Sequence, residues 1–452
     1  MMNSISPVDG RYAKKLENVN QYFSEIGIIK AKILVEVDYL EFISTEFSKD
    51  CDIEKIRKYI HSLEDFLLYD NIKMIESVTK HDTKAIEYFL REVLTDTDQK
   101  HLIPFIHFGL TSQDVVSFSY NYNILNFRVE LFEPLFRSLT RKMLDIGQER
   151  FENRFITRTH GQPAIIANSF NDEVFVLYRD RIKAQYLKLE RINQEVKFGG
   201  AIGNLDAHYT VKPTNWESKM NDFMKNFGLK RQIRTTQIEN YEHLVEYLDI
   251  TKRINNILID FCRDFWYYIS IGYIKIKKDE NSIGSSTMPQ KINPILFENA
   301  EGNLEYANCQ ISFLSDKLLK SRLQRDLTDS TVMRNIGVVF SHCVLAYENI
   351  IDAISNTSPN IDKMESDVQE NGQVLSEKIQ TILRFYGHSD AYEIIKGLSM
   401  GEKIPMSEMQ NRIDDIINEN TFVSIVKTNT PSFNKETEEY LKIKELIKSY
   451  QI

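Results

Sequence analysis

From Leu244 onward, apolar side chains recur every three or four residues: Leu244, Leu248, Ile254, Leu258, Phe261, Phe265 and Tyr268, with Thr251 the one polar member of the series. That spacing places them on one face of a continuous helix. Phe175, Tyr178, Ile182, Tyr186 and Leu189 repeat the pattern on a second. Between Pro294 and Pro359 there is no proline and only two glycines, Gly302 and Gly337, which leaves room for one or two further long helices. Several helices longer than about 25 residues predict a bundle in which neighbours cover each stripe, and their length favours an oligomer. The fold class read from the pattern is all-α: three helical domains around a central long-helix bundle. Residues 1–110 read as shorter helices separated by polar turns and 111–355 as the bundle. Residues 356–452 read as short helices punctuated by Gly372, Gly387, Gly397 and Gly401. No strand series, internal repeat or low-complexity tract is visible.

Composition narrows the class. A chain of 452 residues is too long for one simple core, and 42% hydrophobic with 27% charged residues is the balance of a soluble globular protein. The net charge of −9 argues against nucleic acid as a partner, since phosphate backbones want a basic face. A local cationic cluster can still hold a small anion. Cys51, Cys262, Cys309 and Cys343 are far apart and form no Cys-x-x-Cys pair, so reduced, mostly buried thiols are expected. Asp9, Arg11, Lys14, Lys15 and Glu17 leave no apolar signal core, and no stretch approaches the roughly 20 apolar residues of a membrane span. A cytoplasmic protein without a membrane partner is the expectation.

The densest chemistry lies in Gly284-Ser285-Ser286-Thr287-Met288-Pro289-Gln290-Lys291-Ile292-Asn293-Pro294. Hydroxyls, an ammonium group and an amide are held out of regular structure there by glycine and proline, as in a loop that closes on an anionic substrate. A plain turn explains the glycine and prolines but not Lys291 and Asn293 beside the serine pair.

Four further clusters stand out. His160 lies in Arg158-Thr159-His160-Gly161-Gln162-Pro163, ahead of a helical pattern, either as a proton donor or as a satisfied structural histidine. Lys80-His81-Asp82 pairs a histidine with a carboxylate, or forms a solvated helix end. Thr111 and Ser112 open a helix with capping-box spacing to Asp114, which exposes backbone N–H groups to an anion or simply caps the helix. Arg322, Arg325 and Arg334 interleave with Ser330 and with Asp326 and Asp329, which suits carboxylate or phosphate binding or ordinary ion pairs. Phosphate-loop glycine motifs and His-x-x-x-His metal pairs are absent, so no cofactor and no metal are expected.

These clusters resemble the fumarase/aspartase superfamily and, within it, the bacterial-type adenylosuccinate lyase family. The resemblance begins at Ser6-Pro7-Val8-Asp9-Gly10-Arg11-Tyr12 and runs through His81-Asp82, Phe105-Ile106-His107-Phe108, Thr111-Ser112 and Arg158-Thr159-His160-Gly161-Gln162-Pro163. It continues through Gly203-Asn204, Thr235-Thr236-Gln237-Ile238-Glu239, the 284–294 loop, Phe297-Glu298-Asn299 and the arginine cluster. It departs at Gln290, where this family usually has His and argininosuccinate lyases have Gln, and at Lys80, where a small polar residue is common.

The resemblance implies β-elimination of fumarate from adenylosuccinate, giving AMP, and from the succinyl-aminoimidazole-carboxamide ribotide of purine synthesis. It implies Ser285 as general base and His160 as general acid. Lys291 would stabilise developing negative charge, His81 contact the phosphate or support His160, and Glu298 orient a histidine. Arg11, Tyr12, Lys80, His81, Asp82, Thr111, Ser112, Gln237, Lys291, Asn293, Arg325, Ser330 and Arg334 carry over as substrate-binding positions. A homotetramer with sites shared between subunits is implied as well. Argininosuccinate lyase and a non-catalytic bundle of the superfamily are the competing readings.

Overall fold

The structure, a computed structural model, describes residues 4–277, 288, 290–418 and 434–451. The helix expected from Leu244 spans Glu242–Ser270, and its stripe is buried from Leu244 to Phe265, with Tyr268 half-buried. Thr251 is tolerated in that stripe because its hydroxyl donates to the Tyr247 carbonyl at 2.9 Å. The second stripe lies on a wide turn, Asn171–Val176, and the helix Leu177–Leu189, with all five of its members buried. Each large apolar side chain so buried contributes about 1.5–3 kcal/mol.

Beyond Pro294 come the helices Ile295–Leu318, Thr328–Met333 and Ile336–Ser355. The proline-free stretch is therefore helical but broken. Leu323 takes a φ of +49°, and Asp326 accepts from the Thr328 N–H at 2.8 Å to start the next helix. Among the described helices, only Glu242–Ser270, at 29 residues, exceeds the expected length of about 25. The stretch Thr328–Ser355 is also apolar and long enough to cross a membrane, contrary to the expectation from the sequence. Most of it is buried inside the protein, as in a core helix.

The first hundred residues hold a helix longer than expected, Glu25–Glu46, of 22 residues. Its buried positions lie on every side, so no single stripe marks it. Three two-stranded sheets correct the expectation of no strands: Phe155–Thr159 with Gln162–Ala167, Glu195–Val196 with Lys230–Arg231, and Ile274–Ile276 with Thr357–Pro359. They are short, and the fold stays all-α. Of the cysteines, all free, Cys262 and Cys343 are buried, Cys51 is half-buried and Cys309 exposed.

By packing, the chain divides into two compact units; one break, between Ile351 and Asp352, falls near the expected border at 355, and none falls near 110. The first comprises 1–140, 181–262 and 296–351; the second comprises 141–180, 263–295 and 352–452. In the first, one apolar cluster gathers Ile33, Leu40, Phe89, Leu90 and Leu102, and another gathers Tyr39, Phe118, Phe198, Trp216 and Phe223. In the second, Ile156 and Ile166 of the strand pair pack with Leu375, Ile379, Met409 and Ile443.

Candidate active site

The start of the helix Ser112–Phe127 organises the candidate residues of the first unit. Each of three consecutive side chains there reaches a different segment. Ser112 Oγ lies 3.4 Å from His81 Nε2, Gln113 Nε2 donates to Ser330 Oγ at 3.0 Å, and the Asp114 carboxylate meets Lys197 Nζ at 2.7 Å. Asp114 also accepts from the Thr111 N–H at 2.8 Å, which forms the expected capping box. A helix start of this kind carries the partial positive charge that suits an anion.

His81 caps the helix Asp82–Asp96, its Nδ1 accepting from the Lys84 N–H at 3.1 Å. An acceptor at Nδ1 puts the ring proton on Nε2, which makes His81 a neutral donor on the Ser112 side. The helix-end reading of this cluster is the one seen, with the imidazole Nε2 facing Ser112. Lys80 is exposed and ends the preceding helix in the left-handed region, at φ +54°. Asp82 is drawn into a 2.6 Å ion pair with the buried Lys32. Burial alone would raise the Asp82 carboxyl, but Lys32 and the Thr83 N–H outweigh it and hold it at about 2.

Gln237 and Arg325 come together: Arg325 NH1 donates to Gln237 Oε1 at 3.0 Å, and the Gln237 N–H donates to the Gln324 carbonyl at 3.1 Å. Arg334 is exposed, and its charge is felt by the nearby Tyr120 hydroxyl. Burial pushes that phenol up to about 12, and Arg334 opposes the rise. The Tyr12 hydroxyl accepts from Asn299 Nδ2 at 3.2 Å, beside Glu298 in the first turn of the helix Ile295–Leu318, while Arg11 is exposed.

In the second unit, His160 sits at the tip of the antiparallel strand pair Phe155–Thr159 and Gln162–Ala167, not ahead of a helix. Thr159 pairs with Gln162, which leaves His160 and Gly161 as a two-residue turn with φ values of +51° and +73°. Two positive φ angles are the requirement of a tight hairpin turn, and they hold the exposed imidazole out from the protein. The β-branched and apolar residues flanking His-Gly were the available signal. Lys291 is exposed, and its N–H donates to the Met288 carbonyl at 3.3 Å; Asn293 is half-buried, one residue before Pro294. Ser285 and its neighbours 284–287, with Pro289, lie outside the described residues.

Further polar residues stand behind these groups, Lys197 and Tyr39 among them without any signal in the sequence. Asp114 and Lys197 are fully buried, and Glu239 accepts from Ser117 and Asn121 inside the first unit. Burial raises the Glu239 carboxyl to about 8, with the two donors opposing and Asp329 adding to the rise. Tyr39 donates to the Phe108 carbonyl at 2.8 Å and so accepts from His208 Nε2 at 2.7 Å, which fixes the His208 proton on Nε2. In the sequence this layer showed only through Asp114 as a cap, Glu239 in the 235–239 motif and the Phe-x-His-Phe run around 107.

The chain matches the family model described as lyase over residues 10–308 and the one described as adenylosuccinate lyase C-terminal over 321–432. It is 40% identical to the adenylosuccinate lyase of Dictyostelium discoideum, over 95% of this chain and 96% of that protein. To the adenylosuccinate lyase of Escherichia coli (strain K12) it is 37% identical, over 92% of each. Its fold is that of the fumarate lyase from Mesorhizobium sp. BNC1, with a TM-score of 0.71 at 12% identity over 89% of both chains. Matched nearly end to end by these relatives, the chain belongs to the adenylosuccinate lyase family of carbon–nitrogen lyases.

Proposed function

We propose that the protein cleaves adenylosuccinate to AMP and fumarate, and the succinyl-aminoimidazole-carboxamide ribotide of purine biosynthesis to its carboxamide and fumarate. The observation that carries this reading is 37–40% identity, over at least 92% of the chain, to proteins named adenylosuccinate lyase. The motifs that could perform the elimination stand on the same chain.

The reaction removes a weakly acidic proton from the carbon beside a carboxylate, breaks the C–N bond and leaves a double bond in fumarate. Ser285, as an alkoxide in a dry cationic setting, takes that proton. His160 delivers a proton to the departing nitrogen, and its hairpin tip suits a group that must reach substrate. Lys291 stabilises the charge building on the substrate carboxylate, and Asn293 holds that carboxylate. Thr111 and Ser112, with the neutral His81, receive an anionic group of the substrate. Gln237, Arg325, Ser330, Arg334, Arg11, Tyr12, Lys80 and Asp82 complete the binding surface, and Glu298 orients a histidine.

The working form is a homotetramer whose sites draw residues from several subunits. The helix Ile295–Leu318 supports this, because Gly302, Tyr306, Cys309 and Phe313 form an exposed stripe at spacings of three and four residues. Tyr306 is 53% and Phe313 57% exposed, a face that a second helix would cover. The four free cysteines fit a reducing cytoplasm, and the net charge of −9 fits small-molecule rather than nucleic-acid partners. Gln290 favours argininosuccinate as the second substrate to test.

Purified protein should convert adenylosuccinate without added metal or nucleotide. Ser285→Ala and His160→Ala should each lower kcat at least about 100-fold while keeping the oligomer, as measured by light scattering. Retention of wild-type rate by either variant would remove that residue from the chemistry.

A further inference from the structure

Behind the candidate binding residues of the first unit lies a buried ion pair with no solvent contact. The Asp114 and Lys197 side chains are both 0% exposed, and their charged atoms are 2.7 Å apart. A buried pair of this kind recovers its desolvation cost only when the remaining hydrogen-bonding capacity is filled. Here it is filled by backbone. The Asp114 carboxylate accepts from the N–H groups of Thr111 at 2.8 Å, Gly199 at 2.7 Å and Gly200 at 3.1 Å, and Lys197 Nζ donates to the Gly200 carbonyl at 2.6 Å.

Those backbone groups belong to two segments far apart in sequence. One is the helix start at Thr111–Ser112, and the other is the glycine turn 199–203. The turn in turn seats a third segment, because a Cβ on Gly203 would fall 2.2 Å from Thr235 Oγ1. Thr235 leads directly to Gln237, which Arg325 contacts. Burial lowers the Lys197 ammonium, Asp114 opposes that, and the charge of Arg325 lowers it further, which places Arg325 within electrostatic reach of the pair.

Resting on the lyase reading above, we infer that Asp114 and Lys197 are positioning residues: they set the Thr111–Ser112 helix start, the 199–203 turn and the Thr235–Gln237 segment in the register that binds the anionic substrate. Neither reaches substrate. Their effect is exerted through backbone N–H groups whose direction the pair holds.

The test uses the intact protein and two variants. Asp114→Asn is isosteric and leaves Lys197 without its anion. The double variant Asp114→Asn/Lys197→Met removes both buried charges, so no unpaired ion burdens the fold. With oligomer size and helical circular dichroism unchanged from wild type, the double variant should show a KM for adenylosuccinate raised at least 10-fold, with kcat within about threefold. Asp114→Asn should raise KM in the same direction. A purely structural pair would instead lower the amount of active enzyme at unchanged KM, and that result would overturn the inference. Wild-type protein inert on adenylosuccinate would overturn the lyase reading and this inference with it. Wild-type turnover beside an unchanged variant KM would overturn the positioning role alone.

Discussion

At the scale of single residues, the first unit shows how far burial can move a group from its ordinary behaviour. Glu239 is enclosed beside Ser117 and Asn121, and burial raises its carboxyl to about 8 despite those donors. A free glutamate titrates near about 4.3, so between about 4.3 and about 8 the folded chain holds a proton that the unfolded chain has lost. Stability contributed by this group is therefore present below that window and declines as pH rises through it. Glu239→Gln keeps an acceptor for Ser117 and Asn121 and removes the titration. The variant should match wild type near pH 4 and exceed it increasingly as pH rises, by about 4 kcal/mol at pH 8, in denaturant titration. Equal differences at pH 4 and pH 8 would contradict the assigned protonation. Asp82 behaves oppositely: Lys32 holds it at about 2, so its contribution persists to low pH and fades only as pH falls toward that value.

At the scale of elements, what was legible in the sequence depended on whether a pattern had one period. The stripes at 244–268 and 175–189 were readable because one face is buried and the other wet. The helix Glu25–Glu46 was less so, because it is buried all round. The His160 hairpin was missed because its strands are short and Pro163 lies inside one of them, which disguises the alternation. The histidine itself was visible by its neighbours, but its place on a two-residue turn was not. Asp114 was legible as a helix cap, whereas its partner Lys197 lies 83 residues on, and nothing local announces a contact of that range. The glycine turn offers an element-scale test. Gly203 has φ +79° and no room for a Cβ against Thr235, whereas Gly161 at φ +73° has open space around it. Gly161→Ala should cost only the backbone strain of about 1 kcal/mol. Gly203→Ala should cost more in thermal or denaturant unfolding and should also lower kcat/KM by displacing the Thr235–Gln237 segment. Equal costs at the two glycines would mean that the turn is not held against Thr235.

At the scale of the whole molecule, the candidate residues are spread over two units and many segments, so no single local motif specifies the substrate. His81, Thr111, Ser112, Gln237, Arg325, Ser330 and Arg334 belong to the first unit, and His160, Lys291 and Asn293 to the second. The proposed tetramer makes assembly a condition of activity. Phe313→Asp, on the exposed stripe of the helix Ile295–Leu318, should leave secondary structure intact, shift the particle to a smaller size in sedimentation, and abolish most activity. Full activity in a dissociated form would refute shared sites. The most direct measurement of the central claim is turnover of purified wild-type protein on adenylosuccinate, following AMP and fumarate together, with argininosuccinate as the parallel substrate. Equimolar AMP and fumarate from adenylosuccinate, with argininosuccinate untouched, is the predicted result; cleavage of argininosuccinate alone, or of neither, would contradict it.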